Sequence, residues 1–232
     1  MTNRLPRPAE NNNKSRTMST PPTSSEPITL TDRLRRLLAG ALDPIVSLLA
    51  RMGVSPDLLT ILGMLFHFLF AWLIATGQFL LAGILICFIV PLDALDGSLA
   101  RKIGRRGTFG AFLDSTSDRI AEIILYSGYI SWFTQQEQFL VVTAAYAAIT
   151  GSLMVSYTRA RAEALDYNCK IGLFSRVERY VIIVASLVLS VFLSELAAIG
   201  LYVLAIGTWF TVGQRVYHVW KQARARDSQD HA

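Results

Sequence analysis

The chain has 232 residues, of which 52% are hydrophobic and only 17% are charged. A soluble domain carries about 25% charge, so this balance argues against a water-soluble fold and places the chain in a bilayer. The formal net charge of +5 gathers in a few segments beside apolar runs, where it faces anionic headgroups, and no nucleic-acid partner is needed to explain it.

Residues 1–29 are rich in Asn, Ser, Thr and Pro. They cannot bury enough surface to offset the entropy of ordering, so a disordered tail is expected. The segment lacks the apolar core of a signal peptide. Over 30–52, Leu34, Leu37, Leu38, Leu42, Ile45, Leu48 and Leu49 recur at helical spacing, with Thr31 or Asp32 as a cap. Arg33, Arg35, Arg36 and Arg51 flank that stripe. The pattern predicts an amphipathic juxtamembrane helix lying in the interface and kinked at Pro44.

Six apolar runs follow, at 57–76, 79–99, 110–133, 138–160, 177–194 and 196–217, each near the ~20 residues a span requires. The fold class expected is all-α: a six-span transmembrane helical bundle over 53–222, preceded by the interfacial helix and followed by a polar tail, 223–232. Lys and Arg occur around 101–106, from 159 to 179 and from 215 to 225, whereas the turns at 76–78, 134–138 and 194–195 contain none. The positive-inside rule then puts both termini and both basic loops in the cytoplasm of a multi-pass cell-membrane protein.

At the end of the second run and just past it lie Asp93, Asp96, Gly97, Ala100 and Arg101, and at the start of the third lie Gly110, Asp114 and Asp118. Asp93, Asp96, Gly97 and Ala100 share one helical face, and Asp114 and Asp118 share a face of the next helix. The basic loop between turns the chain around, so four carboxylates are expected at one depth. Ionised carboxylates in a membrane segment are costly, and four together repel. A hard divalent cation, magnesium or manganese, removes that problem because carboxylate oxygen is its preferred ligand. Four aspartates can hold two ions, an arrangement that clamps a phosphate undergoing in-line displacement. Gly97 and Gly110 let backbone approach a nucleotide or a neighbouring helix.

The pattern D-x2-D-G-x2-A-R-x8-G-x3-D-x3-D, matched from Asp93 to Asp118, resembles the signature of the CDP-alcohol phosphatidyltransferase family, and the six-run layout extends the likeness over about 30–220. The resemblance implies that Asp93, Asp96 and Asp114 ligate metal, with Asp118 ligating or serving as general base. It implies that Gly97, Ala100, Arg101 and Gly110 surround the CDP moiety of a CDP-diacylglycerol-type lipid. Ser55, Pro56, Asp57 and Thr60 resemble the family's element for the cytidine end, although many members carry Asn where Asp57 stands. An acceptor hydroxyl then attacks the phosphate bonded to the lipid alcohol, and CMP leaves. Family members are commonly homodimers.

A second cluster bears on the acceptor: Arg159 and Arg161, then Arg176 and Arg179, at the ends of two consecutive runs. Paired guanidinium groups suit a phosphate monoester better than a neutral alcohol, so the acceptor is expected to carry phosphate. The string Ser156-Tyr157-Thr158-Arg159-Ala160-Arg161-Ala162-Glu163 and the later Arg176-Val177-Glu178-Arg179 resemble the branch of the family that accepts an inositol phosphate, in bacteria and in archaea. That likeness implies an inositol 1-phosphate pocket using Arg159, Arg161, Arg176 and Arg179. Glycerol 3-phosphate presents the same group and is the next acceptor to consider.

An ion transporter is the competing class. It would want carboxylates near mid-depth and an opening to the far side, whereas these acids gather at one face. Glu122 is the one deeper acid, expected to line the pocket or bond a neighbouring helix. His67, inside an apolar run, reads as a bonded interior residue. Cys87 and Cys169 match neither a metal spacing nor a disulfide framework. Trp132 and Trp220, near run ends, fit interfacial anchoring.

Overall fold

The computed structural model describes residues 43–90, 94–104 and 107–230. The expected tail at 1–29, the cap at Thr31 or Asp32, most of the amphipathic segment and Asp93 lie outside them. Among the described residues there are eight helices and no strand. They are α1 (43–51), α2 (Pro56–Ala75), α3 (Phe79–Ile89), α4 (Ala94–Lys102), α5 (Thr108–Gln135), α6 (Phe139–Glu163), α7 (Arg176–Leu189) and α8 (Leu196–Asp230).

Three are long and apolar enough to cross a bilayer, at Pro56–Ala75, Phe139–Glu163 and Leu196–Ser228. Helix α5 has 28 residues, about 42 Å at the usual helical rise, but Asp114, Asp118, Arg119 and Glu122 lie between its start and its middle. The run 79–99 is divided between α3 and α4. Val90 closes α3 as its C-cap, and the sequence continues with Pro91, a residue without an N–H to extend a helix. Helix α8 runs on through 223–230, where Ala, Gln and Arg favour helix.

Helices α2, α3, α7, α8, α6 and α5 form a closed ring, each packed on the next and α5 returning to α2. The core inside it is built from Phe70, Ile74, Ile86, Leu125, Tyr126, Tyr129, Ile183, Leu187, Leu201 and Leu204. Phe68, Trp72, Phe88, Ile206 and Phe210 are exposed on the outside. Such a ring, apolar on both surfaces, belongs in a membrane.

Small residues set the closest approaches, as they do where helices meet in lipid. A Cβ added at Gly128 would stand 2.4 Å from the Ala71 carbonyl oxygen, so α5 and α2 touch backbone to backbone. Gly77, at φ 76° in the α2–α3 turn, lies under the Trp132 ring. That contact brings the α2–α3 turn and the far end of α5 to one end of the ring. Helix α1 packs Val46 on Leu95 and Leu99 of α4, and Lys102 Nζ joins it by bonds to Asp43 Oδ1 at 2.9 Å and Ser47 Oγ at 2.6 Å.

Candidate active site

Helix α2 begins with the strongest local signal in the chain. Ser55 is its N-cap, accepting from the Leu58 N–H at 3.2 Å, Pro56 supplies a preset φ, and Asp57 lies in the first turn near the positive end of the dipole. The cap fixes where α2 starts and hence the depth of Thr60, one turn on. Thr60 Oγ1 donates to Asp96 Oδ2 at 2.6 Å, and the Gly97 N–H donates to Asp96 Oδ1. Asp96 is thus a buried carboxylate held by α2 and by its own helix.

Asp96, Asp114 and Asp118 line one cavity of about 10 Å³ together with Thr60, Met64, His67, Ser117, Ala121 and Arg176. That is room for roughly one water-sized sphere, so the cavity suits a small ion and not an organic substrate. Asp118 Oδ1 accepts from Arg176 Nη2 at 2.8 Å across the α5–α7 boundary, and the Arg119 guanidinium stands 3.9 Å from its other oxygen. The all-carboxylate donor set fits a hard divalent cation in chemistry. Among the described residues no three His, Cys, Asp or Glu side chains are gathered as a ligand set, and the motif's remaining aspartate, Asp93, lies outside them.

The residues expected around the CDP moiety fall into two groups. Asp57 and Gly110 meet at the starts of α2 and α5, where a Cβ on Gly110 would stand 3.5 Å from Asp57 Oδ1. Arg101 turns elsewhere, donating to Ser98 Oγ at 2.7 Å. With Asp43, Val46, Ser98 and Lys102 it lines a cleft of about 370 Å³ between α1 and α4. Gly97 and Ala100 are partly exposed on α4.

The four arginines differ in burial and in partners. Arg176 lines the carboxylate cavity. Arg159 and Arg161 are exposed at the end of α6, where Arg159 Nε bonds Glu163 Oε1 at 2.8 Å. Arg179 departs from the expectation of an acceptor-binding group. Its side chain is 3% exposed and ion-paired with Glu122, and Nη1 donates to the Phe174 carbonyl at 3.1 Å. A phosphate reaching it would have to break a buried pair, so Arg179 joins α7 to α5 and Glu122 is its counter-ion.

His67 is the bonded interior residue expected, with partners that were not visible beforehand. Nδ1 lies 2.9 Å from the Gly63 carbonyl, which can only accept, so that nitrogen carries the proton. Nε2 then accepts from the Tyr180 hydroxyl at 2.9 Å, and the Arg176 guanidinium lies 5.5 Å from the Tyr180 ring centroid. A polar line therefore runs from α2 through Tyr180 to Arg176 and Asp118. Cys169, in the α6–α7 connection, is buried, and burial pushes its thiol up, which fits packing and not ligation.

A family model described as CDP-alcohol phosphatidyltransferase matches residues 53–213. The chain belongs to that family. Matched residues include all of α2 to α7 and the first half of α8, and with them every group lining the carboxylate cavity. The archaetidylinositol phosphate synthase of Pyrococcus horikoshii is 37% identical over 197 residues, 82% of this chain and 96% of that one. The phosphatidylinositol phosphate synthase of Mycobacterium tuberculosis is 32% identical over 200 residues, 83% of this chain and 92% of that one. Its crystal structure with CDP-DAG bound superposes with a TM-score of 0.72 at 32% identity, over 76% of this chain and 92% of that one. A second crystal structure of the same enzyme, in complex with manganese and citrate, gives the same TM-score and covers 88% of that chain. The protein is accordingly a phospholipid-synthesising transferase of the membrane.

Proposed function

We propose that this protein transfers the phosphatidyl-type group of CDP-diacylglycerol to a hydroxyl of inositol 1-phosphate, releasing CMP. Six helical segments, with α3 and α4 counted as one, cross the membrane, and the active site opens on the side of the basic loops, taken as cytoplasmic. One observation carries the reading: a cation from the acceptor-side arginines, Arg176, sits inside the carboxylate cavity on Asp118. The same side chain can meet an acceptor phosphate and the group that takes the acceptor's proton.

Asp93, Asp96 and Asp114, with Asp118, would hold magnesium or manganese, as one ion or two, and the metal would neutralise the pyrophosphate in the transition state. Thr60 and the Gly97 N–H orient Asp96 for that task. Asp57, Gly110, Gly97, Ala100 and Arg101 flank the CDP end. The acceptor hydroxyl attacks the phosphorus bonded to the lipid alcohol, and its proton passes to Asp118. The bond from that phosphorus to CMP breaks, and CMP departs with both bonding electrons. Arg159, Arg161 and Arg176 bind the acceptor phosphate. The named activities of the relatives support an inositol phosphate over other phosphorylated alcohols.

The test is purified protein supplied with CDP-diacylglycerol and a panel of acceptors, following CMP release. Inositol 1-phosphate should give the highest kcat/KM. Preference for glycerol 3-phosphate would keep the pocket and change the product, while turnover with free inositol or serine alone would remove the phosphate-binding role of the arginines.

A further inference from the structure

The connection between α6 and α7 does not hang free. Arg226 Nη2 donates to the Asp166 carbonyl at 3.1 Å, and its guanidinium lies 4.6 Å from the Tyr167 ring centroid. Gln222 pairs with both backbone groups of Asn168, donating to its carbonyl at 2.7 Å and accepting from its N–H at 3.2 Å. Arg215 Nε donates to the Ile171 carbonyl at 2.8 Å, and Thr211 Oγ1 accepts from the Phe174 N–H at 3.1 Å. Positions 211, 215, 222 and 226 follow at intervals of four, seven and four, one stripe of a helix. Their partners run the other way, from 174 back to 166. The connection therefore lies antiparallel along one face of α8 for about 22 Å of helix.

Beyond Arg215 no described residue of α8 is buried. This last stretch does not fill the core of the ring, and Gln222 and Arg226 bond it to the connection. At its two ends the connection carries the arginines of the acceptor pocket, Arg159 and Arg161 on α6 and Arg176 on α7.

We propose that the extension of α8 positions the acceptor pocket, with Gln222 and Arg226 as positioning residues that act through the α6–α7 connection on Arg161 and Arg176. The inference rests on the acceptor-site reading given above. An unordered connection would leave the arginines to be gathered by each arriving acceptor, at a cost in affinity. The donor side, built on α2, α4 and α5, makes no use of this contact.

The experiment uses the full-length protein in nanodiscs, with Gln222→Ala, Arg226→Ala and the double variant. Each is assayed by varying inositol 1-phosphate and CDP-diacylglycerol separately, and hydrogen exchange is followed over 164–175. The double variant should raise the acceptor KM by roughly tenfold, the loss expected when a few ordered groups become mobile. Its kcat and its KM for CDP-diacylglycerol should stay near those of the parent, and exchange over the connection should quicken. Each single variant should show a smaller shift of the same kind, which keeps the test decisive if the double variant folds poorly. Faster exchange with an unchanged acceptor KM would overturn the proposal, and so would unchanged exchange. Arg161→Ala, measured alongside, separates the two readings. If it leaves the acceptor KM unchanged, the acceptor site is misplaced. If it raises that KM while the α8 variants do not, only the positioning role is lost.

Discussion

Asp96 accepts from Thr60 on α2, and Asp118 accepts from Arg176 on α7, so two different helices hold the carboxylates of one small cavity. Replacing Asp96 or Asp114 with Asn, or Asp93 by the motif, keeps shape and removes a hard anionic donor. Turnover is expected to fall by several orders of magnitude while the protein still inserts, checked by single-turnover CMP release on protein matched for monodispersity. The arginines should divide by mechanism. Arg161→Ala removes a charged hydrogen bond worth about 1.5–3 kcal/mol, which corresponds to an acceptor KM raised roughly ten- to a hundredfold with kcat retained. Arg179→Ala instead leaves Glu122 buried without its cation, a loss of about 3–5 kcal/mol in stability. It should appear first as a lower Tm in detergent, and Arg179→Met with Glu122→Leu should recover much of it. Acceptor KM rising alone in Arg179→Ala, at unchanged Tm, would return that residue to the pocket.

Helix positions were largely legible from apolar periodicity and end signals, because each depends on neighbours in sequence. The run read at 57–76 is helix Pro56–Ala75, and that at 138–160 is Phe139–Glu163. The division of 79–99 into α3 and α4 was not read, since counting apolar residues ignores the interruption that Pro91 signals. Contacts across the ring were least accessible. Nothing local in the sequence pairs His67 with Tyr180, 113 residues away, or Glu122 with Arg179. The acid motif was readable because regular spacing places its members on helical faces, whereas the arginine pocket was read from guanidinium chemistry and family likeness, neither of which reveals that Arg179 is buried against Glu122. At the scale of helix pairs, Gly128 offers a direct test. A side chain there meets the α2 backbone with no flexible atom to yield, so Gly128→Val should sharply reduce the folded yield. Gly213, with nothing within 4 Å of an added Cβ, should tolerate Ala. Fluorescence-detected size exclusion compares the two.

For the molecule as a whole, the proposed metal would link α4 to α5 as well as serve the chemistry. A ligand bound only by the folded state stabilises it. Exhaustive chelation should therefore abolish CMP release and also lower Tm, and manganese or magnesium should restore both. Full activity after chelation would remove the metal from the mechanism.

The buried pair of Glu122 and Arg179 also has a direction in time. The acid precedes its cation by 57 residues, and Asp118 likewise precedes Arg176, so during synthesis the carboxylates of α5 emerge well before the groups that neutralise them. Asp118 has Arg119 of its own helix 3.9 Å away in the meantime, but until α7 is made Glu122 lacks its cation, which disfavours a settled place in lipid for α5. Arrival of α7 is thus the step that lets the earlier helices come to rest. In a chain stopped at Ser175, the thiol of Ile123→Cys should react with a membrane-impermeant maleimide, and in one stopped at Leu189 it should be protected.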